Sequence, residues 1–355
     1  MKAKINWHYS RSEIAQTIID LFTSGSTHAI TIFAPRRMGK TELLLEDLWP
    51  LAKKRGFDVR YASFWMDKSN PKAVFLDAIS SKPQDQTAVK ARIGVGGTFV
   101  EATSSGAPKE SAVNIREIKA EFVKLCRGKK KVLLLLDEIQ QLAVREQDET
   151  FVAALRTLLD TNKGKVYVVF TGSSREGLIN MFKKQKAPLF NFSHQLDLPE
   201  LGSEFVNHML GAFKQASGKS IKLAPSIRVF SALNRVPARF HDLLRTMLIN
   251  GRQDIEQALK EYKISNRENQ IFLNTWDALK PMDKQLLISI ANNEENLFSE
   301  AGRQSIADNL GLSAISKSSL QKSIGRLKDA ALIESFQRGS YEFSEMAFRE
   351  YVVNK

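Results

Sequence analysis

A single cysteine, Cys126, in 355 residues leaves no internal disulfide to close, and one thiol makes a zinc site improbable. A reducing, cytoplasmic setting is expected. Histidine is also scarce: His8, His28, His194, His208 and His241 show no metal-ligand spacing and read as structural or surface residues. Long hydrophobic runs are missing. The longest strongly apolar stretch, Val132 to Leu136, is far short of the roughly 20 residues that span a bilayer, and the first residues lack the apolar core of a signal peptide. Membrane insertion is therefore not expected. Acidic residues are outnumbered, 39 Asp+Glu against 52 Lys+Arg, for a formal charge of +13. Such an excess favours polyanionic partners, nucleic acid or anionic lipid, and charge alone does not choose between them.

The composition that remains, 43% hydrophobic and 26% charged, is that of a globular chain long enough for two or more packed units. AITIFA at Ala29–Ala34 and VLLLL at Val132–Leu136 are continuously apolar. Strands of a parallel sheet covered on both faces read this way. Further strand candidates, DVRYASFW from Asp58, VYVVFT from Val166 and FSHQLDL from Phe192, interleave with helical stretches such as Glu42 to Arg55 and Ile115 to Cys126. The alternation predicts a three-layer α/β domain with a parallel sheet over residues 1–201. Residues 80–114 break the rhythm, and Val89 to Thr103 reads as a β-hairpin insertion turning at Gly94, Gly96 or Gly97. Beyond Leu201 helices dominate, with candidates at Ser203–Ala216, Pro225–Leu233, Pro237–Asn250 and Ile255–Tyr262. Residues 202–269 form a helical segment, and 270–355 a last module of different character.

The first strand runs into APRRMGKT, which fits GxxxxGK[ST] with Ala34 in place of the first glycine. A strand, a tight loop and a helix N-terminus aim backbone N–H groups at one point, where a phosphate chain can sit. Pro35, Arg36, Arg37, Met38, Gly39, Lys40, Thr41 and Glu42 are then the ATP-binding residues. Lys40 reaches the β- and γ-phosphates and Thr41 holds Mg²⁺. LLLLDE places Asp137 and Glu138 at the carboxyl end of a buried strand, where open α/β sheets bind ligands. Asp137 completes the Mg²⁺ shell, and Glu138 orients or deprotonates the attacking water. The same acids also suit a helix cap, but the phosphate loop upstream favours the catalytic role. After VYVVFT comes the polar cluster Thr171, Gly172, Ser173 and Ser174. One hydroxyl there either contacts the γ-phosphate or the water, with Ser173 the candidate, or caps the helix that starts at Arg175.

APRRMGKT, LLLLDE, FTGSS and the later NRVPARFHDLL, in this order, resemble the archaeal-type ATPases of the AAA+/STAND group, which are similar to origin-recognition ATPases. The resemblance covers most of residues 11–250. It implies a nucleotide held between the α/β domain and a helical lid, with Pro237 contacting it and Arg239 acting as a sensor near the phosphates. A solvated face or a structural ion pair is the other reading of Arg239. Arg11, in SRSEI, resembles the segment that lines the base pocket; Trp7, Tyr9, Trp65 and Trp276 read as packing residues, with Trp7 or Tyr9 facing the adenine as the alternative. One departure matters. At APLFNFSHQ, relatives often carry an arginine that acts across a subunit interface, whereas this chain has Asn191 and Phe192. Arg175, Lys183, Lys184 or Lys186 could substitute. Slow hydrolysis follows if none does, because such a finger is worth about 10³ or more in rate.

Residues 270–355 read as three helices, the first over Trp276 to Asn293, and a strand pair, a helix-turn-helix with a wing. Leu320, Ile324 and Leu327 fall on one face of the third helix. Lys317, Ser318, Gln321, Lys322 and Lys328 then face outward as candidate DNA contacts, and Arg338 sits in the wing. This resembles the winged helix that origin-recognition-like ATPases carry after the lid. The module has 10 Lys+Arg against 11 Asp+Glu, so residues 1–269 carry a net +14. DNA affinity draws mainly on phosphate neutralisation. If DNA is the partner, the ATPase body, with clusters such as Lys129–Lys131 and Lys183–Lys186, supplies most backbone contacts. The reading is an ATP-gated homo-oligomeric switch on or beside DNA; the alternative is a STAND-type scaffold whose winged helix binds protein or autoinhibits.

Overall fold

The computed structural model describes residues 5–80, 84–93, 113–143, 148–178, 181–182, 187–265, 267–294, 296–337, 339–353 and 355. They fall into two compact units, one running from His8 to Glu200, the other from Leu201 to Lys355 together with the N-terminal residues up to Trp7. No helix among the described residues is long and apolar enough to cross a membrane.

The first unit is built on five parallel strands: β1 (Ala29–Phe33), β2 (Asp58–Ser63), β3 (Val132–Asp137), β4 (Val166–Gly172) and β5 (His194–Asp197). Their spatial order is β2-β3-β4-β1-β5, so β4 separates the two strands that carry the sequence motifs. The run of leucines in β3 is explained by its neighbours above and below. Leu134 and Leu136 enter the core that includes Phe75, Phe122 and Phe151, while Leu133 and Leu135 enter the opposite core with Phe22, Leu44 and Trp49. Successive side chains of a strand point to opposite faces, so a strand covered on both sides has no polar positions to spare. The expected three layers are present.

Two local features depart from the expected pattern. The helical stretch after Lys40 is continuous to Lys54 but has a π-helical section at Leu43–Leu48, with the Trp49 N–H bonded to the Leu44 carbonyl five residues back. Pro50 explains it, since proline has no N–H to offer the turn below. The second departure is a correction. Gln86–Ile93 is an α-helix, not the start of a hairpin. Only Val89 of that stretch is buried, and a single buried anchor suits a short surface helix, which satisfies its own backbone, whereas a strand needs a neighbouring strand to bond. The rest of the proposed hairpin, including the three glycines, lies outside the described residues.

In the second unit, helices Ser203–Ser217, Leu223–Ala232, Pro237–Ile249 and Ile255–Ser265 follow the expected positions within a few residues. The single helix expected around Trp276 to Asn293 is two, Arg267–Ala278 and Pro281–Ala291, because Pro281 starts a new helix. Glu300–Asn309 and Lys317–Asp329 follow, capped by Ser299 and Ser316 through their hydroxyls. An antiparallel pair, β6 (Ile333–Gln337) with β7 (Ser340–Phe343), turns at Gly339 with φ 84°, and a helix at Met346–Val353 completes the unit.

Lys317–Asp329 is fastened from below by a charge. Asp283 is buried and accepts from Ser323 Oγ and from Arg326 Nε and Nη2, the last two at 3.1 and 2.5 Å. Burial alone would raise its pKa, but the bonds from Arg326 and Ser323 and the Arg326 charge outweigh it and hold the carboxyl below its ordinary value. A depressed folded-state pKa stabilises above the unfolded value and is lost as pH falls through the folded one. Thermal midpoints should therefore drop below about pH 4, where an unfolded aspartate titrates. Asp283→Asn should flatten that drop and cost about 1–3 kcal/mol at neutral pH. An unchanged pH profile in the variant contradicts the assignment.

Candidate active site

The carboxyl ends of β1, β3 and β4 converge, and they bring the sequence motifs together. The β1 loop turns through Arg37 and Gly39 with φ of 67° and 88° before Lys40 opens the helix. Glycine adopts that conformation freely at 39, whereas position 34 has no positive φ and needs no glycine; Ala34 is buried and its carbonyl accepts from Lys40. The Lys40 ammonium, in a side chain only 5% exposed, donates to the Ala34 and Pro35 carbonyls at 2.7 and 2.9 Å. Its pKa is pushed down by burial, opposed by the charges of Glu138 and Asp137 and helped by Arg36. Among the described residues this cation bonds only to its own loop, which leaves it poised for an anion arriving from outside.

Asp137, 2% exposed, accepts four hydrogen bonds among the described residues. Thr41 Oγ1 and the Tyr61 hydroxyl reach Oδ2 at 2.7 and 2.9 Å. Thr171 Oγ1 reaches Oδ1, as does the Glu138 N–H at 3.1 Å. Burial, reinforced by the Asp137 charge, raises the Tyr61 pKa well above its ordinary value, so the hydroxyl stays a donor. The next acid is held separately. Glu138, itself at φ 57°, accepts through Oε2 from Ser173 Oγ at 2.7 Å and from Gln140 Nε2. Gln140 is 3% exposed, and its Oε1 has no hydrogen-bond partner among the described residues. It fits there because residues 172 and 177 are glycines: a Cβ on either would come within 2.6 Å of Gln140.

Of the two serines, Ser174 is the one that takes the capping role. Ser174 Oγ accepts from the Gly177 N–H at 3.0 Å and so caps the short helix, whereas Ser173 faces the acid. Arg36 stacks 4.9 Å from the Trp65 ring centroid, and Trp65 is exposed, not packed as expected. Glu42 lies 4.0 Å from His8 Nδ1. Pro237 and Arg239 stand on the first turn of the helix Pro237–Ile249 in the other unit. The Arg175 side chain, residues 183–186 and Arg338 lie outside the described residues. Tyr61, Gln140 and Asp47 were not singled out by sequence. No spacing announces them, because the strand order that brings them in is not written in any motif.

Arg11 has a structural task. It is 8% exposed, and its guanidinium donates to the Met38 carbonyl at 3.1 Å and the Pro199 carbonyl at 2.7 Å. Its N–H meets Asp47, which also accepts from Ser10 Oγ and His8 Nε2. Arg11 thus ties the phosphate loop to the chain just beyond β5. Arg11→Met should accelerate amide exchange in residues 36–41 and cost about 1–3 kcal/mol, since the buried Met38 carbonyl loses its donor. Arg11→Lys should recover only part, because an ammonium lacks the fork that reaches both carbonyls. Unchanged exchange in the loop overturns this role.

Residues 9–236 match the ATPase-domain family described as predominantly from Archaea. Among solved structures, the chain is similar to the Walker-type ATPase of Pyrococcus abyssi, with 14% identity over 97% of this chain and 96% of that one and a TM-score of 0.65. It is also similar to the Aeropyrum pernix ORC2 protein in its ADP form, with 14% identity over 100% of this chain and 96% of that one and a TM-score of 0.56. At this identity the likeness is one of fold. Among curated proteins no sequence match reaches significance. With the family match spanning well over half of its length, and with the motifs of that family assembled at one edge of the sheet, the chain belongs to the archaeal-type family of P-loop ATPases.

Proposed function

We propose that this ATPase is a nucleotide-gated switch that acts on or beside DNA, binding ATP with Mg²⁺, hydrolysing it slowly and changing its assembly with the nucleotide state. The observation that carries this reading is the separate restraint of the two acids, Asp137 by Thr41 and Glu138 by Ser173 and Gln140. Thr41 Oγ1 and Asp137 Oδ2, two hard oxygens side by side, suit a small hard cation, and Mg²⁺ held by them would neutralise charge on the phosphate oxygens. Pro35 to Glu42 cradle the phosphates and Lys40 turns from its own carbonyls toward them. The Aeropyrum pernix protein of like fold is described with ADP, which supports reading the loop as a nucleotide cradle.

Glu138 orients or deprotonates the water. Two donors on one carboxylate oxygen, Ser173 and Gln140, fix its direction. Ser173 bridges this acid to the incoming phosphate, while Pro237 and Arg239 act from the lid. Residues 270–355 serve as the winged helix. Lys317, Ser318, Gln321 and Lys322 are exposed on Lys317–Asp329 and Lys328 is half-buried, as a DNA-facing surface requires. That module carries a net −1, so it positions or regulates and the basic body supplies affinity.

A second reading, a STAND-type scaffold whose winged helix restrains the lid or recruits a protein, is favoured by one contact. Asn234 Nδ2, beside the lid helix, donates to Glu350 in the last helix. Particle mass with ATP, ADP or neither, each with and without duplex DNA, separates the two readings. The switch predicts a heavier ATP-loaded species that binds duplex with a steep salt dependence. No duplex binding in any nucleotide state leaves the scaffold, and a mass indifferent to nucleotide sinks both. Lys40→Ala should abolish nucleotide binding. Glu138→Gln should bind normally and lose turnover by about a hundredfold or more; normal hydrolysis in that variant removes Glu138 from its role.

A further inference from the structure

The end of the sheet opposite the nucleotide loop gathers positive charge that ATP cannot explain. In the parallel order β2-β3-β4, the segments that enter these strands lie side by side, and the Asp58 N–H bonds the Lys131 carbonyl while the Val132 N–H bonds that of Lys165. Those segments read KKRGFD at 53–58, RGKKK at 127–131 and DTNKGK at 160–165, nine cations against two acids. Both acids are engaged, Asp58 with the buried Arg60 at 3.0 Å and Asp160 with Lys163 at 2.8 Å. Lys53, Lys54 and Lys129 to Lys131 are exposed.

A structural explanation exists, because three helices end here, Trp49–Lys54, Ile115–Cys126 and Glu149–Thr161. Helix C-termini attract cations, but each amounts to only about half a negative charge. Three such ends account for one or two of the cations and leave most of the excess unbalanced. Adjacent strands are about 4.8 Å apart, so three of them present a front about 10 Å wide. Over 10 Å of axis a DNA duplex offers about six phosphate charges. The match in density is with a phosphodiester backbone. An anionic lipid surface fits less well, since none of the exposed large apolar side chains among the described residues lies in these three segments.

We infer that the amino-terminal edge of β2, β3 and β4 is a sequence-independent nucleic-acid backbone site, on the face of the ATPase unit opposite its nucleotide loop. This rests on the DNA reading above and gives it a location. Lysines in the three loops sit outside the catalytic machinery, so they can be changed without touching turnover. Lys131 lies over the Tyr167 ring and Lys165 bonds the Gly128 carbonyl, so both are best left in place.

The test is titration of the full chain with a mixed-sequence DNA duplex from 50 to 300 mM salt, comparing it with the triple variant Lys54→Gln, Lys129→Gln, Lys130→Gln. The variant should bind about ten- to a hundredfold more weakly near 150 mM, and the log–log salt slope should shrink by about two to three, at roughly 0.9 per lost contact. ATP turnover without DNA should be unchanged, which shows the variant folded. Wild-type slope and affinity in the variant overturn this site while leaving the DNA reading intact. A wild-type chain that binds no duplex overturns both. Loss of binding to phosphatidylserine-containing vesicles with DNA binding unaltered reassigns the patch to lipid and also refutes the inference.

Discussion

The first unit is organised around a buried negative charge. The Asp137 carboxylate sits at the end of the fully buried strand β3, where a charge is tolerated only if its oxygens are satisfied. Its four donors come from four places: Thr41 after the phosphate loop, Tyr61 on β2, Thr171 on β4 and the adjoining Glu138 backbone. A carboxylate has about four lone-pair sites, so these four donors among the described residues offset its burial. Hydrogen bonds to a charged group are worth about 1.5–3 kcal/mol each, and losing one leaves a buried polar atom exposed to that cost. The strand order follows from this demand as much as from apolar packing. β4 has to lie beside β3 for Thr171 to reach the acid, and Ser173, two residues on, then reaches Glu138.

The same arrangement makes the edge electrically unfinished. Lys40 is buried beside two acids yet bonds to neither, being turned back onto the Ala34 and Pro35 carbonyls. Glu138 is directed by Ser173 and Gln140, with one oxygen taking both bonds. Positive and negative groups are thus held a short way apart by neutral partners. The bonds to neutral partners are the ones an incoming phosphate would replace, whereas Arg11 holds the loop in shape from behind through Met38 and Pro199. Rigid support and replaceable contacts are divided between different residues.

Much of this was legible in the sequence, for reasons that can be named. AITIFA and VLLLL are continuously apolar because both faces of the sheet are covered, and GKT and DE stand where such strands end. Legibility failed where the cause is spatial. Tyr61 is 76 residues from Asp137, and nothing in DVRYASFW marks its hydroxyl as a donor to that acid. Gln140 depends on glycines at 172 and 177 that only the folded chain sets against it. AVKARI alternates like a strand, but with one buried side chain it has no sheet to join and coils as Gln86–Ile93. The basic clusters were visible as KKR and KKK. That they stand side by side, on the far side from the phosphate loop, came from the parallel register.

The most direct test of the central claim, that Asp137 links the phosphate loop to the cation, is calorimetric ATP binding by Asp137→Asn and by the unaltered chain, each with Mg²⁺ and with chelator. The asparagine keeps shape while removing the charge that a hard cation requires. The account predicts that the unaltered chain binds at least about tenfold more tightly with Mg²⁺, a difference of roughly 1.4 kcal/mol, and that this gain disappears in the variant while metal-free binding persists. A variant that keeps the full Mg²⁺ gain contradicts the account.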